Sequence, residues 1–189
     1  MVETRREQIY STAGALFSRR GYAATSVRDI ARELDLQGGS LYAHIASKED
    51  VLWAIVTDAA DRFFAAVGPI VACGAPATDR LRGMIHAHLA VITGQAERAT
   101  VFLHDWKFLS PARREVIAAR RDEYEGLYRA TIAAGIGEGA FAPTDPKLAA
   151  TLILSALNGV AGWYRPGGDL EPDVIASRFA DLLLNGLLA

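Results

Sequence analysis

The sequence has a single cysteine, no long apolar run and almost no excess charge, and each shortage excludes a class of protein. Cys73 alone cannot form an intrachain disulfide or a cluster of thiolate metal ligands. No apolar segment approaches the ~18 residues of a membrane span. Arg5, Arg6 and Glu7 interrupt any signal-peptide pattern at the N-terminus. We therefore expect a cytoplasmic protein in a reducing environment, with no membrane partner.

The charge balance excludes a protein that binds nucleic acid through bulk positive charge. The 189 residues include 20 Lys and Arg against 22 Asp and Glu, which gives a formal net charge of −2. Residues 1–48 are only slightly more basic, with seven basic and five acidic side chains. Any affinity for DNA must therefore come from the placement of a few groups. Hydrophobic residues make up 51% of the chain, enough for a substantial core in one domain or two small ones.

Apolar residues recur at helical spacing along almost the whole chain, which predicts an all-α fold. A first helix ends at Gly21, a plausible C-terminal glycine. Ser26 and Asp29 have the spacing of a capping pair and open a second helix. Asp35 lies in the turn that follows, and a short third helix covers 37–44. Two short helices joined by a tight turn are typical of a DNA-binding helix-turn-helix.

A longer helical segment follows this N-terminal unit. Ser47 and Asp50 cap a fourth helix that begins at Lys48 and runs to about Ala66. Gly68-Pro69 and the 73–76 run are expected to break that helix and form a linker. Five more helices are predicted over about 78–94, 96–108, 111–134, 146–164 and from Pro172 to the C-terminus. The expected architecture is a three-helix DNA-binding head (1–48) and a six-helix body for ligand binding and dimerisation (49–189).

The short third helix carries the residues best suited to contact DNA. Gln37 can bond both edge atoms of an adenine, and Ser40 can contact bases or phosphate. Gly38 and Gly39 each cost roughly 1 kcal/mol of helix propensity, and a close approach of bare backbone to DNA would explain them. Phosphate contacts are expected from Tyr42, His44 and Lys48. Taken singly, Tyr42 also fits a half-buried core aromatic, His44 a surface residue and Lys48 a solvated charge.

A dense set of positions within the first 52 residues resembles the TetR family of transcriptional regulators. The positions are Arg6, Ile9, Ala13, Leu16-Phe17, Gly21-Tyr22, Thr25-Ser26, Ile30-Ala31, Gly39-Ser40-Leu41-Tyr42, His44 and Ser47-Lys48-Glu49. The resemblance implies an operator-binding head that contacts double-stranded DNA through Thr25, Ser26, Arg28, Gln37, Gly38, Gly39, Ser40, Tyr42, His44 and Lys48. This chain has Asp35 where the family usually has glycine, and Asp tolerates left-handed backbone better than most residues. It also has Gln37 and Gly38 where the family often has Ser or Thr and a basic residue, so the operator sequence cannot be borrowed from relatives.

The same resemblance implies that the body dimerises and binds a small molecule. The predicted eighth and ninth helices, 146–164 and from Pro172 onward, are apolar enough to pair with the same helices of a second copy. The candidate interface residues are Ala149, Ile153, Ala156, Ala161, Gly162, Val174, Ile175, Phe179, Leu182, Leu183 and Leu187. The alternative is that this strip belongs to the core of a single chain.

Aromatic and polar residues mix at inward positions of the body, which favours a cavity with a few orienting groups. These residues are Phe63, Met84, His88, Phe102, Trp106, Tyr124, Tyr128 and Asn158. Each also fits a packed core residue. A metal ligand is disfavoured for His88 and His104, because His86 and His88 face different sides of a helix and no acidic cluster accompanies them. We expect no metal and no cofactor.

A shorter resemblance narrows the effector class. The 163–168 stretch, with Glu138-Gly139-Ala140-Phe141 upstream, is similar to TetR-family repressors of fatty-acid, steroid and aromatic-acid catabolism that respond to acyl-CoA thioesters. The resemblance implies an acyl chain among the apolar residues, near Trp163. The anionic CoA portion would need cations, and the candidates are Arg120, Arg121 and Arg165. The competing effector is a lipophilic, drug-like compound that induces an efflux or detoxification gene.

Two other classes of protein were weighed against a regulator. A small helical enzyme is disfavoured, because the sequence has no Ser-His-Asp spacing, glycine-rich phosphate loop or metal cluster. A helical scaffold would not require Tyr42 and Lys48 to be placed for phosphates. The sequence therefore predicts a homodimeric transcriptional repressor that a small hydrophobic effector releases from a palindromic operator.

Overall fold

A computed structural model describes residues 4–36 and 41–187, and within these ranges the chain is helical with no β-strand. This confirms the all-α prediction, with six helices from Lys48 onward. The α-helices are α1 (Arg5–Arg20), α2 (Val27–Glu33), α3 (Lys48–Ala72), α4 (Ala77–Gly94), α5 (Ala96–His104), α6 (Pro111–Gly137), α7 (Pro146–Trp163) and α8 (Pro172–Asn185). A short 3-10 helix, Trp106–Phe108, lies between α5 and α6, and Leu41 and Tyr42 are also helical.

The first of two compact units comprises the chain up to Ala60 together with Glu97–Ala118. In it α1 packs against α2. The packing does not follow the predicted division after residue 48, because the start of α3 shares the apolar core of the head. Its core side chains include Ile9, Leu16, Phe17, Ile30, Leu41, Ile45, Leu52, Ile55 and Val101.

The second unit comprises Asp61–Ala96 and the chain from Ala119 onward. In it α4 packs against α7 and α8. An ion pair of 2.7 Å joins Arg82 of α4 to Asp181 of α8. Its core side chains include Phe63, Leu81, Met84, Ile85, Tyr128, Ile132, Phe141, Ile153, Leu157 and Leu184.

The predicted break at Gly68-Pro69 is wrong, because α3 continues through both residues to Ala72. Pro69 removes one hydrogen bond near the end of the helix, where that loss disturbs little that follows. Packing favours the continuation: a Cβ atom at Gly83 of α4 would lie 3.0 Å from Cγ2 of Ile70. Tertiary contact at Ile70 thus outweighs the helix-breaking tendency of the Gly-Pro pair.

The end of α6 lies beyond the predicted end at about Ala134. The helix runs to Gly137, and the backbone carbonyl of Gly135 accepts hydrogen bonds from the N–H groups of Ala140 and Phe141. A Cβ atom at Gly135 would lie 2.2 Å from Cδ2 of the buried Phe141 ring. Glycine is needed at Gly135 for this close approach rather than for flexibility.

Candidate functional site

Local capping sets the geometry of the head. Gly21 ends α1 with a φ of 82°, a conformation that suits glycine. Ser26 and Asp29 form a full capping box at the start of α2, as predicted. Asp35 has a φ of 52°, and the following Leu36 N–H bonds to the Ala31 carbonyl at 2.8 Å. The backbone therefore leaves the helical path of α2 at Asp35, as the turn of a helix-turn-helix requires.

The structure exposes four of the side chains predicted to contact DNA. Ser26, Arg28, Tyr42 and His44 are exposed, and Tyr42 retains 58% of its accessible surface. Thr25 is different: it is buried, and its hydroxyl donates to the Gly21 carbonyl at 3.0 Å. Its side chain stabilises the loop between α1 and α2 and is not presented to solvent. The predicted contacts at Gln37, Gly38, Gly39 and Ser40 lie outside the described residues.

Lys48 has intramolecular partners that the sequence did not reveal. Its ammonium donates to the carbonyl oxygens of Tyr22 at 2.9 Å and Thr25 at 2.8 Å. Partial burial lowers the pKa of Lys48. An ammonium has three N–H donors, so one donor remains for the predicted phosphate contact.

The side chains that hold the head in place were missed by the sequence analysis. Arg113 donates to Glu49 at 3.2 Å and also pairs with Asp50. The rings of Tyr22 and Phe108 stack with centroids 5.5 Å apart. Each pair is distant in the sequence, so helical periodicity and capping patterns carry no signal for it.

A buried chain of polar groups joins three helices of the second unit. The Tyr124 hydroxyl and Nδ1 of His88 are 3.0 Å apart, and Nε2 of His88 is 3.2 Å from Oδ1 of Asn158. His88 lies on α4, Tyr124 on α6 and Asn158 on α7. The rings of Phe63 and His88 have centroids 4.7 Å apart. Five of the eight predicted cavity residues thus share one part of this unit: Phe63, His88, Tyr124, Tyr128 and Asn158.

Burial sets the protonation of this polar chain. It lowers the pKa of His88 to about 3, against a weaker opposing effect of the Asn158 hydrogen bond. It also raises the pKa of Tyr124 and of Tyr128. Neutral imidazole has one donor and one acceptor nitrogen. We therefore assign the proton to Nε2, which donates to Asn158, while Nδ1 accepts from the Tyr124 hydroxyl.

Met84 adjoins this group, since it is buried in the second unit and its carbonyl accepts from the Tyr128 hydroxyl at 3.2 Å. The last two predicted cavity residues lie elsewhere. Phe102 and Trp106 belong to the first unit. Trp163 is 47% exposed and stacks on Phe179, with centroids 6.4 Å apart.

The three predicted cations also have different surroundings. Arg120 forms an ion pair of 2.7 Å with Asp61 and lies over the Phe64 ring. Burial lowers the pKa of Arg121. Arg165 is exposed, and its guanidinium donates to the Tyr164 carbonyl at 2.9 Å. Each guanidinium keeps its positive charge.

The predicted interface residues on α7 and α8 need a correction. Ala149, Ile153 and Ala161 are buried within the second unit, as is Ile175 of α8. These four residues belong to the core of the single chain, which was the alternative to an interface. Three other predicted residues, Gly162, Val174 and Leu182, are exposed. Leu148, Leu152 and Gly159, which were not predicted, are exposed on the same two helices.

Two features of the described residues concern membrane spans and metal ligands. None of their helices combines the length and apolar character that crossing a membrane requires. Within the same part of the chain, no group of three or more His, Cys, Asp and Glu residues could hold a metal ion.

The capped head and the helical body fit the class of DNA-binding transcriptional regulators. The family matches and the similar repressors indicate a regulator and not an enzyme. Residues 9–55 match the family described as bacterial regulatory proteins, tetR family. Residues 74–187 match the family described as tetracyclin repressor-like, C-terminal domain. The chain therefore belongs to the TetR family of transcriptional regulators, as the sequence predicted.

Similar proteins extend over nearly the whole chain. The HTH-type transcriptional repressor KstR2 of Mycobacterium tuberculosis is 31% identical, over 98% of this chain and 94% of that protein. The structure of this ketosteroid transcriptional regulator superposes with a TM-score of 0.95 at 30% identity, over 100% of this chain and 97% of that one. The structure of AibR in complex with isovaleryl coenzyme A and operator DNA has a TM-score of 0.85 at 28% identity, over 98% of each chain.

Proposed function

We propose that this protein is a homodimeric repressor whose affinity for a palindromic operator falls when a hydrophobic effector binds the second unit. The buried chain from Tyr124 through His88 to Asn158 carries the proposal. Hydrogen-bonded polar groups that are surrounded by aromatic and apolar side chains can orient a ligand. A ligand group that displaces one of these hydrogen bonds must itself bond to the polar atom that it frees. A buried polar atom left without a partner costs about 1–3 kcal/mol.

We propose an acyl-CoA thioester as the effector. Among the similar proteins, AibR has a structure with isovaleryl coenzyme A and operator DNA. In this chain the acyl group would contact Phe63, Met84 and Tyr128, and the phosphates would lie near Arg121 or Arg165. One observation favours a neutral lipophilic effector instead: Arg120 is already paired with Asp61 at 2.7 Å.

Release from DNA requires the effector to bind better to a conformation in which the two heads of the dimer no longer fit one duplex. Two helices are suited to transmit such a change. α3 contributes Lys48 to the first unit and Phe63 to the second, and α6 likewise contributes Arg113 and Tyr124.

Dimerisation through α7 and α8 is supported by their exposed apolar face. Leu148, Leu152 and Leu182 are 68%, 64% and 75% exposed in the single chain. Gly159 and Gly162 lie within α7, yet a Cβ atom at either would meet nothing within 4 Å. Glycine inside a helix costs about 1 kcal/mol relative to alanine, and close approach of a second copy offsets that cost.

The first experiment identifies the operator. The wild-type protein would select a duplex from a random-sequence 30-base-pair library, hereafter the selected duplex. We expect a palindromic selected duplex and an affinity that falls steeply between low and high salt, because phosphate contacts release counterions. A wild-type protein that selects no duplex, even at low salt, contradicts the proposed function.

The effector test uses isovaleryl-CoA, isovalerate and coenzyme A as matched probes. A ligand that binds only the folded protein raises its melting temperature. We expect isovaleryl-CoA, but neither of its two parts, to raise the melting temperature and to release the selected duplex. Release by a neutral lipophilic compound, with no effect of acyl-CoA esters of any chain length, would favour the second effector class.

A further inference from the structure

The first turn of α6 is tied to the first turn of α3 by charged groups. Arg113 donates one guanidinium nitrogen to Glu49 at 3.2 Å and the other to Asp50. The Ser110 backbone N–H donates to the same Glu49 oxygen at 3.1 Å. The Ser110 hydrogen bond chiefly lowers the pKa of Glu49, and the Ser47 hydroxyl chiefly lowers that of Asp50, with Arg113 next. Both carboxyl groups are therefore ionised at neutral pH, and one guanidinium bridges them.

These carboxylates follow directly after the predicted DNA-contacting segment. Asp50 also accepts from the Ser47 hydroxyl at 2.6 Å, and Ser47 caps α3. Only two residues separate Ser47 from the exposed Ala43-His44 pair that precedes it. Arg113 thus anchors the point at which the chain leaves Tyr42 and His44 and enters α3.

The same part of the chain also contacts the loop between α1 and α2. The Tyr22 backbone N–H donates to the buried Asp105 carboxylate, and this bond opposes the rise in the pKa of Asp105 that burial causes. Phe108 stacks on the Tyr22 ring. Residues 105–113 therefore contact the head at two places, Tyr22 and the Glu49-Asp50 pair, all within the first unit.

We propose that Arg113 is a positioning residue for operator binding. It acts through Glu49 and Asp50, and with the Tyr22 contacts it fixes the orientation in which the head presents Tyr42 and His44. A head attached at one place could rotate about that attachment in any direction, whereas a second, separated contact leaves only rotation about the line that joins the two. This inference rests on the proposed binding of a palindromic operator by a dimer, in which two heads must fit one duplex at once.

The experiment compares Arg113→Met with Arg114→Met in the full-length protein. Arg114 is the adjacent residue of α6 and is exposed, so its replacement removes the same charge without the bridge. Affinities would be measured for the selected duplex, for a duplex that carries one of its half-sites, and for a random duplex. Melting temperatures would be recorded alongside.

A positioning role predicts that the substitution changes the affinity for one of the three duplexes only. Arg113→Met should weaken binding to the selected duplex by about tenfold, with unchanged binding to the half-site and random duplexes. Arg114→Met should leave the preference for the selected duplex as in the wild type. Arg113→Lys should lose about threefold on the selected duplex, because a lysine ammonium cannot reproduce the planar two-pronged contact.

Three outcomes would overturn the inference. Wild-type affinity of Arg113→Met for the selected duplex removes the positioning role and leaves the proposed function intact. Equal losses on the selected and half-site duplexes would show that Arg113 stabilises the head or contacts DNA itself. If Arg113→Met does not fold, wild-type affinity of Arg113→Lys for the selected duplex refutes the positioning role instead. If the wild-type protein selects no duplex, the proposed function itself is contradicted. The inference about Arg113 then fails as well.

Discussion

The ammonium nitrogen of Lys48 lies 4.1 Å from the centre of the Tyr22 ring and donates a 2.9 Å hydrogen bond to the carbonyl oxygen of the same residue. A cation above an aromatic face is attracted by the ring quadrupole. With its second bond, to the Thr25 carbonyl, Lys48 ties the start of α3 to the loop between α1 and α2. A residue predicted from the sequence as a phosphate contact therefore also has a structural role.

The two roles of Lys48 can be separated with Lys48→Met. Loss of the carbonyl contacts should lower the free energy of unfolding by about 1 kcal/mol, measured by urea denaturation. Loss of a phosphate contact should lower the slope of log affinity against log salt by about one. Lys147→Met, at an exposed position of α7, should change neither quantity. An unchanged salt slope in Lys48→Met would contradict the phosphate contact and leave only the structural role.

Short-range features of the fold could be predicted from the sequence because they are encoded within one helical turn. Gly21 ends α1, and the Ser26-Asp29 and Ser47-Asp50 pairs cap α2 and α3, as expected. The continuation of α3 through Pro69 could not be predicted, because it depends on the contact between Ile70 and the Gly83 position of another helix.

Long-range pairs account for what the sequence missed in the candidate site. Glu49 and Arg113 are 64 residues apart, and no local pattern relates them. Helical spacing did place His88 and Tyr124 on inward faces, and the structure brings them within 3.0 Å. The same spacing could not assign the faces of α7, because Ile153 and Leu152 are both apolar and only packing distinguishes the buried residue from the exposed one.

Gly135 and Gly137 offer a matched pair of substitutions in one helix. Gly135→Ala would place a methyl group 2.2 Å from the buried Phe141 ring. We expect a loss of about 1–3 kcal/mol in the free energy of unfolding, as for other overpacked sites. Gly137→Ala meets nothing within 4 Å, so it should be neutral or slightly stabilising. Equal effects of the two substitutions in thermal denaturation would contradict the packing described for α6.

Burial of His88 predicts a specific dependence of stability on pH. The unfolded chain binds a proton near pH 6.5, whereas the folded protein does so only near pH 3. Between these values the unfolded state binds more protons, so the free energy of unfolding falls as the pH falls. Each pH unit in this window removes at most about 1.4 kcal/mol. Well above pH 6.5 the imidazole is neutral in both states, and His88 contributes no pH dependence.

The pH prediction can be checked by urea denaturation of His88→Gln at pH 7, 6 and 5. The variant should lose less stability than the wild type between pH 7 and pH 5, whatever its absolute stability at pH 7. His86→Gln, two residues away and only half-buried, is the control and should keep the wild-type difference. Parallel curves for His88→Gln and the wild type would mean that His88 is not held neutral by burial.

The exposed face of α7 and α8 leads to a prediction about assembly. Leu152→Glu places a charge on the proposed interface, where its burial without a partner is costly. Sedimentation should show a monomer at concentrations at which the wild type is a dimer. Because Leu152 is 64% exposed in the single chain, the melting temperature of the monomer should reflect only the loss of the partner.

Val116→Glu is the control for this substitution, since Val116 is a 48% exposed apolar residue of α6 outside the proposed interface. It should remain dimeric and bind the selected duplex as the wild type does. The Leu152→Glu monomer should keep its affinity for a half-site duplex and lose most of its affinity for the selected duplex, because one head then binds alone. A dimeric Leu152→Glu protein would place the interface elsewhere and would leave the open glycines of α7 without an explanation.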